Sequence, residues 1–454
     1  MTNTNASWRS AFSVYAQPRV LGMILLGFSA GLPYSLVSST LSAWLADEQI
    51  SLSIIGYFSL VGIAYSIKVF WAPIIDRLHL PVLFKLLGMR RSWMLLSQTG
   101  IALGLLGIST IDAHLHLQHV AILAVCVAFC SATQDIAIDA YRIEAVIPKY
   151  QGAMAAMYVF GYRLALLAAG AGVLYIAEYF SWQSAYRFMA CTMLVGIITT
   201  ISISEPEHNT DTRTKAIEAR IESVLGVNKV RPFIANLLKW FSDAVISPFV
   251  EFFQRNGKSA VSILMLIAVY KMSDMAMGVM AIPFYLDLGF SKKDIADISK
   301  VFGFFMTIIG TWLGGLLVVR FGIMRPLLLG AVLAALTNLL FAGLASSQPT
   351  LASLAWVISA DNLSGGIAAA SLIAYLSSLT NTAYTATQYA LFSSLMTLPA
   401  KLVGSFSGNV AVTFGYDVFF IYSAIIGLPA IVLVLILMRS PLTLNPTNPE
   451  NEAD

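Results

Sequence analysis

Apolar stretches of about 20 residues recur from one end of this chain to the other, and each is long enough to cross the hydrocarbon core as a helix. Scanning for them marks about twelve spans, six before and six after one long polar stretch. Of the 454 residues, 58% are hydrophobic and 11% charged, whereas soluble domains carry about 25% charge. The expected fold class is an all-α integral membrane protein with about 12 transmembrane helices in two six-helix bundles.

The polar segments set the predicted divisions. Residues 1–18 read as a retained cytosolic tail, with no small-residue cleavage site after an apolar core. A first bundle follows at 19–204, a connector at 205–258, a second bundle at 259–439 and a cytosolic tail at 440–454. The connector opens on EPEHNTDTRTKAIEARIESVLG, expected to be flexible or weakly helical. It continues as PFIANLLKWFSDAVISPFVEFF, where Asn236, Lys239, Asp243 and Glu251 stand among Ile234, Leu237, Leu238, Phe241 and Val245. That pattern, broken by Pro248, predicts a helix lying along the cytosolic membrane surface.

Most of the 27 Lys and Arg fall on one side of the predicted spans, in the tails, the connector and the loops. Only Arg187, Lys292 and Lys293 fall on the other. By the positive-inside rule both termini are cytosolic and the span count is even. The basic residues form no continuous tract and the net charge is only +3, so nucleic acid is not an expected partner; the lipid bilayer is. Cys126, Cys130 and Cys191 lie inside apolar runs, where they read as small hydrophobes and not as a metal or disulfide site. His114, His116 and His119 read as a solvated outer loop.

A weak repeat divides the spans into equivalent halves. WAPIIDRLHLPVLFKLLGMRRSW follows span 2 and GGLLVVRFGIMRPLLL follows span 8. Both resemble the loop signature of the major facilitator superfamily, a Gly, an acid, then basic residues around a second Gly. In the first copy Asp76, Arg77, Gly88, Arg90 and Arg91 match, with Ala72 at the Gly position and about ten extra residues between. In the second, Gly315, Arg320, Gly322 and Arg325 match, but Val319 stands where the acid is expected. The basic residues of both copies read as gate latches and topology markers.

Charges inside the spans are the candidates for function, because each costs about 2.5–3.5 kcal/mol at a helix centre and needs a cavity or a partner. The stretch SATQDIAIDAYRIEA puts Asp135, Asp139 and Arg142 on one helix face. Counting 1.5 Å per residue from the cytosolic end places Lys68 of span 2 and Asp135 of span 4 at a similar level, about 12 Å deep, where they could pair, although the sequence does not say which intramembrane charges meet. Arg163 falls mid-depth in span 5, and Lys271 and Asp274 share a face midway along span 7. Lys300, Asp361 and Lys401 fall in the outer half of spans 8, 10 and 11. A bland reading of these pairs, that they only fix helix register, stands beside the functional one.

Glycines and prolines suggest close contact and bending: Gly161, Gly170 and Gly172 in span 5, Gly314 and Gly315 in span 8, Gly365 and Gly366 in span 10, with Pro33, Pro73, Pro283 and Pro399. No phosphate-binding glycine loop, no HExxH and no large cytosolic domain appears, so no enzyme, metal or cofactor is expected. An ion gradient must then drive transport. Asp135, Asp139, Asp274 and Asp361 can each take up a proton when desolvated, which makes proton coupling the economical expectation.

Several segments in order resemble the AmpG muropeptide permeases of the major facilitator superfamily: GFSAGLPYSLVSSTLSAWL, FSLVGIAYSIKVFWAPIIDR, ATQDIAIDA, GYRLALLAAG, YKMSD, DNLSGG and ATQYALFSSL. The resemblance implies proton-coupled import of N-acetylglucosaminyl-anhydro-N-acetylmuramyl peptides across the bacterial inner membrane, for peptidoglycan recycling and β-lactamase induction. It implies a small-molecule glycopeptide partner and no obligatory protein partner. On it, Arg163, Lys271 and Lys401 suit an anionic cargo, Tyr34, Tyr158, Tyr162 and Trp44 suit sugar rings, and Gln134, Asn362 and Gln388 complete the substrate set. Asp361 stands where the family often has Glu, and Lys401 near where it often has Arg. Two other readings remain: the same fold with another anionic cargo, such as an acyl-coenzyme A or a different glycopeptide, and a transport-dead receptor that uses its connector.

Overall fold

In lipid the backbone must satisfy its own hydrogen bonds, and the chain does so by folding as helix almost throughout. The computed structural model describes residues 13–50, 54, 58–112, 115–206 and 242–439. The predicted surface positions Ile234 to Phe241, the loop residue His114 and the side chains of Lys292, Lys293 and Lys300 lie outside the description.

Among the described residues, nine helices are long and apolar enough to cross a membrane: Pro18–Asp47, Leu117–Glu144, Pro148–Tyr179, Trp182–Ser202, Ser259–Asp287, Asp297–Phe321, Met324–Ala345, Leu351–Ser378 and Tyr416–Arg439. These are spans 1, 4–10 and 12. Span 2 is the shorter apolar helix Leu60–Phe70 continued by Ala72–Arg77, span 3 is Met89–Ile108, and span 11 is Thr385–Ser405. Spans 1–6 and 7–12 form the two bundles. The side on which span 1 begins and span 12 ends is called the basic side below.

Span 2 is not one regular helix. It is broken by 3-10 turns at Ser59–Gly62 and Lys68–Phe70 around the short helix Ile63–Ile67. Span 5 carries a π-helical turn at Ala168–Gly172, which accounts for Gly170 and Gly172 as bending positions. Pro33, Pro283 and Pro399 lie inside helices, as Pro429 does. Gly161 of span 5 lies directly against the backbone of Ile24 in span 1, and Gly27 of span 1 against that of Tyr158, so neither position has room for a side chain. Gly365, in contrast, faces open space.

The repeat is visible in the backbone. Gly88 and Gly322, at equivalent places in the two loops, both have positive φ, 84° and 76°, a conformation glycine adopts without strain. Among the apolar clusters that join the halves, two lie on the basic side. In one, Leu316 and Val319 of span 8 pack with Ala153 and Met154 of span 5; in the other, Ala72 and Ile75 pack with Ala386 and Ala390 of span 11. The missing acid of the second copy is thus a hydrophobic contact between the bundles.

The described end of the connector is a π-turn, Ser242–Ile246, and a helix, Ser247–Asn256. Glu251 is 3% exposed and pairs with Arg255 at 3.0 Å, so this helix docks its polar face on protein. Gln388 of span 11 donates to Pro248 O at 2.9 Å and to Glu251 Oε2 at 2.8 Å.

Candidate functional site: an ionic seal beneath a polar core

Asp76, at the basic end of span 2, is the centre of the first cluster. Its carboxylate accepts the backbone N–H of Ala386 at 3.1 Å and of Thr387 at 2.7 Å, and the Thr387 hydroxyl at 2.6 Å. Those amides belong to the first turn of span 11, so one bundle supplies the helix N-cap of the other. Arg90 holds the same carboxylate at 2.9 Å and Glu144 at 2.7 Å, with all three side chains inside the protein. Beside it the Arg77 guanidinium stands 5.2 Å from the ring centroid of Tyr384, again across the halves.

Arg142 makes a second crossing. Fully buried, it donates to Ser377 Oγ of span 10 at 2.7 Å and to Asp139 at 3.3 Å, and stands 5.1 Å from the Tyr389 ring of span 11. Tyr15 closes the row by donating to Trp312 O at 3.3 Å. These polar contacts join the halves on the basic side, and Lys401 donates to Ser66 Oγ at 2.9 Å farther from it. The structure is sealed on the basic side.

Lys68 pairs with Asp139 and not with Asp135, the pairing that equal depth allowed. Its ammonium stands 3.8 Å from Asp139, one turn nearer the basic side than Asp135. A uniform rise of 1.5 Å per residue does not describe the interrupted span 2, and a depth count carries no information about the direction of a side chain. Asp135 is left with its Oδ1 buried and with no hydrogen-bond partner among the described residues. Around it lies the second cluster: Tyr65 and Ser131, whose hydroxyls are buried side by side, and Tyr158 and Tyr162 of span 5. Tyr34 is 43% exposed and meets Tyr65 edge-on, centroids 5.3 Å apart. Arg163 is exposed in the middle of span 5.

In the second bundle Lys271 and Asp274 pair at 2.8 Å, both partly exposed. Asp361 accepts from Thr337 at 3.3 Å, and Asn362 accepts from Thr307 at 2.8 Å. Three expected substrate groups are placed elsewhere. Trp44 is fully buried, stacked on Trp182 at 6.2 Å and against Tyr186 at 5.0 Å. Gln134 is fully buried against Ser29 of span 1, and Gln388 spends its amide on the docked connector helix. Arg91 grips Thr200 O and Ile201 O within its own bundle, and Arg320 lies 5.1 Å from the Phe321 ring. Sequence reasoning missed Tyr65, Ser131, Glu144, Ser377, Thr387 and Tyr389. The ATQ triplet at 132 and again at 386 was one available signal for Thr387.

A sequence profile described as Major Facilitator Superfamily matches residues 23–403. The chain belongs to that superfamily. It is 33% identical over 425 residues to the anhydromuropeptide permease of Escherichia coli K12, an alignment covering 93% of this chain and 80% of that one. It is 32% identical over 426 residues to the putative transporter AmpG 4 of Rickettsia conorii, covering 93% and 97% of the two chains. These relatives place it in the AmpG group. The proton:xylose symporter XylE shares the fold, with a TM-score of 0.62 at 13% identity over 94% of this chain and 95% of that one. The human organic anion transporter MFSD10 does too, with a TM-score of 0.62 at 14% identity over 92% and 100%. The chain is a multi-pass membrane transporter and not an enzyme.

Proposed function

We propose that this protein imports anhydromuropeptides from periplasm to cytoplasm together with protons, by rocking its two bundles about the polar core. The observation that carries the proton is Asp135, a carboxylate with one oxygen unpartnered, lying between the seal and the tyrosines. Asp76, in contrast, has its carboxylate held by the Ala386 and Thr387 donors. The printed name of the Escherichia coli relative supports the cargo.

In this reading the basic side is the cytosol, both termini are cytosolic, and the sealed state receives cargo from the periplasm. Arg163, Lys271 and Lys401 meet the carboxylates of the peptide, and Tyr34, Tyr158 and Tyr162 meet the sugars. Cargo and proton together release the Asp76 and Arg142 contacts, and the bundles rock to open the cytosolic side. The proton gradient is the driving force, with no cofactor.

The test is uptake of radiolabelled anhydromuropeptide into proteoliposomes, with and without an imposed acid-outside gradient. Gradient-dependent accumulation is expected, and Asp135→Asn should insert normally but not accumulate. Accumulation by Asp135→Asn at the wild-type level removes it from coupling. Displacement of the label by acyl-coenzyme A, but not by unlabelled muropeptide, would reassign the cargo.

A further inference from the structure

The proton site and the cargo site of such a transporter must communicate, and Tyr65 touches the second and lies within reach of the first. Tyr65 lies in the short helix Ile63–Ile67 of span 2. Its ring meets Tyr34 edge-on, 5.3 Å between centroids at 77°. Tyr34 presents an exposed face where an apolar or sugar ring can stack. The other end of Tyr65, its hydroxyl, is buried beside the Ser131 hydroxyl, with Asp135 in electrostatic reach. Ser131 and Asp135 are one turn apart on the same face of span 4, and Asp135 Oδ1 has no hydrogen-bond partner among the described residues.

We propose that Tyr65 is the positioning residue that transmits cargo occupancy to Asp135. A phenol donating to Asp135 favours the carboxylate; a phenol turned away favours the carboxylic acid. A swing of the whole Tyr65 side chain about its Cα–Cβ bond selects between them, and the edge contact with Tyr34 sets that swing. A cargo ring stacking on Tyr34 therefore changes the proton affinity of Asp135 without touching it. The other groups facing Asp135 are Lys68 from span 2, Asp139 on its own helix, Tyr158 and Tyr162 from span 5 and Tyr389 from span 11. Among the described residues, none of these has a ring contact with Tyr34, as Tyr65 does.

This inference rests on the symport reading above, and the experiment separates the two. Proteoliposomes are assayed for counterflow of radiolabelled anhydromuropeptide, which needs no net proton movement, and for cargo-induced proton uptake with an internal pH dye. Tyr65→Phe keeps the ring and removes the hydroxyl, so counterflow should stay within about 2-fold of wild type while proton uptake per cargo falls about 10-fold. Tyr34→Ala should weaken cargo binding and also lose proton uptake per cargo bound; it carries the test if Tyr65→Phe does not fold. Unchanged coupling in either folded variant, or a loss of counterflow and proton uptake in step in Tyr65→Phe, overturns the role of Tyr65. Wild-type counterflow with no cargo-induced proton uptake overturns the symport reading, and this inference with it.

Discussion

Asp76 spends its whole acceptor capacity on the closed state, and three of its four contacts break when the bundles part. Hydrogen bonds to a charged group contribute about 1.5–3 kcal/mol each. Asp76→Asn keeps the shape, removes the charge and turns an amide N–H₂ toward donors. It should lower the population of the sealed state by about 10-fold or more. Faster hydrogen exchange at the Ala386 and Thr387 amides, with normal membrane levels and reduced uptake, is the expected result. Unchanged exchange there would show that the apolar clusters alone hold the seal. At this scale the sequence was informative about which side chains are charged and about their levels. It was not informative about partners: Glu144 and Asp139 were both inside the quoted span 4 stretch, yet only the packed helices show that Arg90 takes the first and Lys68 the second.

Span 3 begins at a bend where Gly88 turns the chain at a φ of 84° and Glu205, from the end of span 6, accepts the amides of Arg90 at 2.7 Å and Arg91 at 3.2 Å. Burial pushes the Glu205 carboxyl up from its ordinary value of 4.5, against the amides and Arg90, which draw it down. A carboxyl raised on folding binds its proton more tightly in the folded state. Its contribution to stability is therefore greatest below 4.5 and is lost as the pH rises through the raised value. Glu205→Gln lacks that loss, so the melting temperature of wild type minus that of the variant should shrink between acidic and neutral pH. A gap that widens instead would mean the charge, not the burial, governs this capped end. Elements were the most legible scale: all the spans were foreseen from apolar runs, because a bilayer fixes helix length. The breaks in span 2 were not, since FSLVGIAYSIKVF contains nothing that distinguishes a 3-10 turn from an α-helical one.

The two bundles meet unequally. The first loop copy contributes an ionic cap, the second a hydrophobic contact through Val319, and between them Gly315 brings span 8 against span 5. A Cβ on Gly315 would lie 2.5 Å from Tyr15 Oη and 2.7 Å from Gly152 O, so Gly315→Val must push the halves apart on the basic side. A cysteine replacing Ser377 should then react about 5-fold faster or more with an impermeant maleimide applied from that side. Gly365→Val, at a position facing open space, should leave the rate unchanged. Two six-helix halves were legible in the repeat, but the seal was not, because its polar contacts join residues more than 200 positions apart and no local pattern encodes that. The widest of these separations has a consequence for how the molecule is made. Asp76 and the Thr387 amide it accepts are 311 residues apart. A ribosome finishes one long before the other exists, so the first bundle must wait in the bilayer with its closing surface uncovered, and a translocon or chaperone has that interval in which to shield it.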